Sequence, residues 1–141
     1  MISIELSTSA QSEMVDITAR VSRALEEAGV RADGVVHLFC PHTTAGLLIN
    51  ERADPDVAAD ILAYLERAVP WEGRWRHAEG NAAAHVRASL VGSSVFAPLE
   101  GGRLRLGRWQ GIFFCEFDGP RRRTVWLQVL PAHPSPVGAS R

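Results

Sequence analysis

Hydrophobic and polar positions alternate at the start of the chain. Ile2, Ile4 and Leu6 interleave with Ser3, Glu5 and Ser7, the two-residue period of a half-buried strand. The period then changes. Met14, Ile17, Val21, Leu25 and Ala28 recur at steps of three and four and stop at Gly29, which predicts an amphipathic helix with a glycine end. Val35 to Cys40 is β-rich, and an extended apolar run resumes from Ala45 to Asn50 after Pro41-His42-Thr43-Thr44. Asp54-Pro55 supplies an N-cap and a first-turn proline, and Val57, Ile61, Leu62 and Leu65 give that helix one apolar face before Pro70. Trp71 to Gly80 is polar and aromatic without a period, the pattern of a long loop, and Asn81 is placed to cap a short helix through Leu90.

From Ser93 the pattern returns to strands. Val95 to Pro98 and Arg103 to Leu106 flank the turn Glu100-Gly101-Gly102 and predict a hairpin. Gly111 to Phe117 and Thr124 to Leu130 flank Asp118-Gly119-Pro120-Arg121 and predict a second. The order β-α-β-β-α-(α)-β-β-β-β defines an α+β class with a mostly antiparallel sheet and two to three helices. Residues 1–130 are expected to form a single domain, and the Pro-, Ser- and Gly-bearing residues 131–141 a flexible tail.

Composition narrows the function classes. A length of 141 residues and a hydrophobic fraction of 46% suit one domain with one core. The net charge of -1 provides no global field to recruit nucleic acid or a membrane surface. All fifteen cationic residues are arginine, so Schiff-base and P-loop lysine chemistry are excluded. Cys40 and Cys115 lie in apolar runs, as reduced buried thiols do. No apolar run approaches the roughly 20 residues of a membrane span, and the start of the chain lacks a signal-peptide pattern. The expectation is a cytoplasmic protein.

Histidines carry the candidate chemistry. His42, His77 and His85 sit among small or polar residues, whereas His37 alternates within a strand and His133 lies in the tail. Imidazole is the commonest metal ligand and titrates near neutrality, but the spacing of these three matches no helical metal motif. Asn50 and Glu51 close the apolar strand after His42, where Glu51 can equally begin a solvated turn. Glu116 lies in a run that is apolar on both sides. Burying its carboxylate requires a cation, a metal or a proton, so a site role and an ion pair with an arginine stand level. Arg121-Arg122-Arg123 can hold phosphate oxygens or form a solvated hairpin tip.

Read together, these segments have a family resemblance. His42-Thr43-Thr44-Ala45-Gly46-Leu47-Leu48-Ile49-Asn50-Glu51, Asp54-Pro55, His77-Ala78-Glu79-Gly80-Asn81, Ala84-His85 and Ser89 to Ser94 are joined by Gly102 to Ile112 with Glu116. The combination resembles the YjbQ-like family of secondary thiamine-phosphate synthase enzymes. The resemblance implies an α+β fold with a β-sandwich-like core, a homotrimer, and a polar site of His42, His85, Asn50, Glu51 and Glu116 with His77 nearby. It also implies condensation of a pyrimidine diphosphate with a thiazole phosphate, releasing pyrophosphate.

Three functions follow as expectations. The first is an enzyme on a small phosphorylated substrate. A divalent metal would sit on His42, His77 and His85, or those histidines would act as acid and base without one. Histidine ligands favour Zn²⁺, whereas carboxylates and phosphates favour Mg²⁺; a metal-dependent hydrolase belongs to the same class. The second is a non-catalytic trimer that binds a phosphorylated metabolite, with Arg103, Arg105 and Arg108 contributing. The third is a structural role for the histidines at an interface.

Overall fold

The computed structural model describes residues 1–133, so the predicted tail from residue 134 onward lies outside the described residues. The elements run β1 (Ile2–Ser7), β2 (Glu13–Asp16), α1 (Thr18–Glu27), β3 (Gly34–Phe39), β4 (Ala45–Glu51) and α2 (Pro55–Ala68). Then follow α3 (Ala82–Val91), β5 (Ser94–Glu100), β6 (Arg103–Leu104), β7 (Gln110–Glu116) and β8 (Arg122–Pro131). The strands make two antiparallel sheets, one ordered β1-β8-β3-β5-β6 and one ordered β2-β7-β4. The result is an α+β domain whose sheets curl as a half-barrel, with three helices.

Alternation decides which side chains meet between the sheets. Val36 and Leu38 of β3 and Val125 and Leu127 of β8 face Leu47 of β4 and Phe114 of β7 in one buried cluster. Ile17, Val21 and Leu25 place α1 on the same cluster. The opposite face of the small sheet carries Phe113, Cys115 and Phe117 against Leu65 of α2 and Ala84 and Ala88 of α3. The strand β7 is therefore sealed on both faces, which is why its sequence is apolar at nearly every position. Each such aromatic or aliphatic burial stabilises the fold by about 1.5–3 kcal/mol.

Helix ends follow local chemistry where a partner is free. The Asp54 carboxylate accepts from the Asp56 N–H at 2.9 Å, with Pro55 as the first helical residue, as the sequence predicts. Asp16 performs the corresponding task for α1. Its Oδ1 accepts from the Thr18 N–H at 3.0 Å and from the Thr18 hydroxyl at 2.6 Å.

Three expectations are corrected. Met14 is not on the first helix; it lies in β2 opposite Cys115, and α1 begins at Thr18. Its three-residue step to Ile17 imitates a helical period, but pairing along β7 claims the segment. The predicted hairpin across Asp118 to Arg121 does not form. β7 pairs with β2 and β4, whereas β8 pairs with β1 and β3, so the turn passes from one sheet to the other. The first hairpin does form, but β6 stops at Leu104: the Arg105 N–H still donates to the Pro98 carbonyl at 2.9 Å, and Pro98 has no N–H to return the bond.

That sheet change is one of three at the same edge. The connections β1 to β2, β3 to β4 and β7 to β8 all cross between the sheets. They are laced together by Thr8 N–H to Arg121 carbonyl at 2.9 Å, Gly119 N–H to Gln11 carbonyl at 3.1 Å and Phe117 N–H to Thr44 carbonyl at 3.1 Å. Gly119 is required by closeness. A Cβ there would meet the Ala10 carbonyl and lie 2.8 Å from both Glu116 Cγ and Thr8 Oγ1.

Candidate active site

Crossing strands leave polar side chains where two sheets part, and here one of them is fully enclosed. Glu116 is 0% exposed and Arg123 is 3% exposed. Arg123 Nε donates to Glu116 Oε1 at 2.9 Å and its Nη2 donates to Oε2. The Thr8 hydroxyl donates to Oε1 at 2.7 Å, and the Phe117 and Asp118 N–H groups each donate to Oε2 at 3.1 Å. Burial pushes the Glu116 carboxyl up. The hydrogen bonds from Arg123, Thr8 and Asp118, with the arginine charge, more than reverse this and hold it below its ordinary value. Arg123 Nη2 also donates to the Thr44 hydroxyl at 2.8 Å. Of the two readings the sequence left level for Glu116, the buried ion pair is the one its surroundings form.

In front of this pair lies an open cleft in two adjoining concavities of about 440 Å³ each, which share His42, Thr43 and His85. His42 is placed by the β3–β4 crossing. The Thr124 N–H donates to His42 Nε2 at 2.9 Å. A nitrogen that accepts is unprotonated, so the neutral ring carries its proton on Nδ1. Burial, and then the positive charge of Arg123, hold the His42 pKa below its ordinary value. With Nε2 accepting, the His42 Nδ1–H is a donor that makes no hydrogen bond among the described residues.

His85 comes from α3 and lines both concavities. Its ring meets that of His77 edge-on at 5.1 Å between centroids, and His77 Nε2 lies 3.5 Å from Glu79 Oε2. Ser89 shares this helical face and donates its hydroxyl to the His85 carbonyl at 2.8 Å. Asn81 does not cap α3 with its side chain; its Nδ2 donates to Asp118 Oδ2 at 2.9 Å. Arg121 grips the same Asp118 through its carbonyl at 2.8 Å and its carboxylate at 3.2 Å. The Asn81 Oδ1 is buried with no hydrogen-bond partner among the described residues.

The structure therefore brings His42 and His85 to one cleft, with His77 beside His85. Asn50 and Glu51 lie at the other end of β4, five to six residues on, or roughly 17–20 Å at the rise of an extended strand. There the Asn50 side chain accepts from the Glu51 N–H at 2.7 Å and the Glu51 carboxylate from the Ala53 N–H at 3.0 Å.

Asp118 is a cleft residue the sequence reading passed over, and of the arginine triplet left open as phosphate holder or solvated tip, Arg121 and Arg123 line the cleft. Strand alternation was the available signal: adjacent arginines in a strand point to opposite faces, so Arg122 and Arg123 have separate fates.

Among the described residues no three His, Cys, Asp or Glu side chains group as metal ligands would. The accepting nitrogen of His42 is occupied by the Thr124 N–H. Within this chain the set His42, His77 and His85 does not fit one ion.

The fold and cleft define a class: a two-sheet α+β domain with paired histidines where the strands cross. Residues 2–132 match the family described as UPF0047 protein YjbQ-like, and the chain belongs to that family. It is 49% identical over 128 residues to the UPF0047 protein YugU of Bacillus subtilis, covering 90% of this chain and 96% of the relative. It is 44% identical over 126 residues to the UPF0047 protein MJ1081 of Methanocaldococcus jannaschii, covering 89% and 91%. The crystal structure of an uncharacterized conserved YjbQ/UPF0047 family protein from Clostridium acetobutylicum superposes with a TM-score of 0.88. That pair shares 51% identity, with 92% of this chain and 100% of that one covered. No helix among the described residues is long and apolar enough to cross a membrane.

Proposed function

We propose that the His42–His85 cleft is the active site of an enzyme acting on a small phosphorylated substrate. The supporting observation is His42 itself: a ring oriented by the Thr124 amide, with its Nδ1–H unpartnered among the described residues and the Arg123 charge nearby. An N–H donor and guanidinium groups in one concavity suit phosphate oxygens. Arg123 spends Nε and Nη2 on Glu116 and Thr44, and the Arg121 side chain is about half exposed at the cleft rim. His85, which lines the same cleft from α3, would exchange a proton with the reacting group.

The reaction we assign is condensation of a pyrimidine diphosphate with a thiazole phosphate. The thiazole nitrogen forms the new bond to the pyrimidine methylene carbon, and pyrophosphate leaves with the electron pair of the broken C–O bond. His42 and Arg121 would stabilise the departing pyrophosphate. The assay is pyrophosphate release from these two substrates. His42→Ala and His85→Ala are each expected to lower turnover by about 10²-fold or more. A wild-type rate equal to background would overturn the named reaction. Substrate binding that persists without any turnover would favour the non-catalytic binding reading.

The reading includes a homotrimer. Support comes from the outer face of the large sheet, where His37 stacks on Phe96 and Phe39 on Trp126. Phe96 remains 60% exposed and Trp126 36% exposed, a contiguous apolar patch of the kind that copies cover. Analytical ultracentrifugation of wild type and Phe96→Asp tests it: a monomeric wild type would overturn it.

A further inference from the structure

An edge strand presents a row of unpaired backbone groups unless something covers it. In the large sheet β1 lies at one end and pairs only with β8. A groove of about 490 Å³ runs along it, and Ser3, Ile4, Glu5, Leu6 and Ser7 all line that groove. Five consecutive residues alternate between the two faces of a strand, so what they share toward the groove is the backbone edge. The far wall is α1, where Arg20, Arg23, Ala24 and Glu27 recur at helical spacing. Arg122, opposite Ser7 in the ladder, completes the rim.

Charge gives the groove a preference. Among the described residues Arg20, Arg23 and Arg122 form no ion pair. They outnumber the two acids of the lining, Glu5 and Glu27, and leave the groove net positive; Glu5 also turns to the Thr124 hydroxyl, accepting from it at 3.1 Å through each oxygen. A second copy of this strand would bring the same arginines against these, so self-pairing is disfavoured.

We infer that the β1 edge is a docking surface for an extended acidic segment of a partner protein, which adds as a sixth strand beside β1 and sets its carboxylates on Arg20, Arg23 and Arg122. Backbone pairing provides affinity in this mode, and side-chain charge selects the segment. The site is separate from the His42–His85 cleft and does not depend on any activity there.

The test uses the full chain and a fluorescein-labelled synthetic peptide of alternating valine and glutamate, followed by anisotropy. Two companion peptides replace glutamate with lysine, or carry N-methyl groups on alternate amides in either phase. The glutamate peptide is expected to bind. Affinity should fall about tenfold or more with lysine, with one phase of N-methylation, and with Arg20→Glu/Arg23→Glu. Those substitutions are on an exposed helical face, and circular dichroism checks that the variant is folded. Absence of binding, equal affinity for both N-methylated phases, or indifference to the arginine substitutions would overturn the inference. So would a change in the variant's oligomeric state without peptide, which would mean that copies pair at this edge.

Discussion

Two groups of polar residues lie on either side of Thr44, and they are built on opposite terms. Behind it, Glu116 and Arg123 are buried, and every carboxylate oxygen of Glu116 has at least two donors. In front of it, His77, Glu79 and His85 make one edge-on ring contact and one 3.5 Å nitrogen–oxygen contact, with the Glu79 side chain 76% exposed. A polar group whose bonds are all made inside the protein has nothing left for a ligand, and holds strands in place. One with open valences is available for chemistry. His42 belongs to both groups: Nε2 is spent on the Thr124 amide and Nδ1 has no partner among the described residues. Substitutions on the two sides should therefore separate stability from function.

The largest effect is expected behind Thr44. Glu116→Gln removes the charge that compensates Arg123 while keeping the shape of the side chain. Breaking one partner of a buried pair costs about 3–5 kcal/mol, a fall in Tm of roughly 10–20 °C for a chain of this size. Differential scanning calorimetry reads it directly. A fall of only one or two degrees would mean that the pair is not what binds the three crossings together.

The same pair fixes a pH dependence. The Glu116 carboxyl is held below its ordinary value of 4.5 in the folded state. Its contribution is therefore present above that unfolded value and is lost as pH falls through the lower folded one. Urea midpoints should drop progressively below pH 4.5 in wild type, and less steeply in Glu116→Gln. His42 adds a smaller slope at higher pH. Its folded pKa lies below the ordinary 6.5, so the unfolded chain binds the proton first and stability declines as pH falls below 6.5.

A third break lies at the helix layer. Arg87 on α3 is buried, and its Nε and Nη2 donate to the Val69 carbonyl at 3.0 and 2.8 Å, capping the end of α2 from a neighbouring helix. Arg87→Met keeps most of the apolar stem and leaves that carbonyl unpaired, for an expected loss of about 1–3 kcal/mol. An unchanged urea midpoint would show that water replaces the guanidinium there.

These effects also mark what could be read from the chain. The two faces of β4 were legible because Ala45, Leu47 and Ile49 alternate with Gly46 and Leu48, and they do face different clusters. The two-sided burial of β7 was legible from the continuous Ile112 to Phe117 run, and it predicts that Glu116 needs a partner. Which arginine serves was not legible, because Arg123 reaches Glu116 only when the turn between them changes sheets. A hairpin and a crossing have the same local turn chemistry, and long-range ladder pairing decides between them. The same limit separates Asn50 and Glu51 from His42: His42 lies in the connection that leads into β4, and they lie at the far end of that strand.

The smallest effect on stability is expected in front of Thr44, and there it carries the most functional weight. His85 makes no side-chain hydrogen bond among the described residues, and the His77 side chain is 41% exposed beside it. Removing either should move stability by no more than about 0.5 kcal/mol, the range of substitutions away from buried networks. If the cleft is catalytic, turnover in His85→Ala should nevertheless collapse while Tm stays within a degree or two of wild type. His42→Ala is the intermediate case, because it also strips the Thr124 amide of its acceptor and should cost about 1 kcal/mol. Calorimetry and turnover on the same preparations decide the matter. A His85→Ala protein that loses several kcal/mol would make that histidine part of the scaffold, and the contrast across Thr44 would no longer divide support from chemistry.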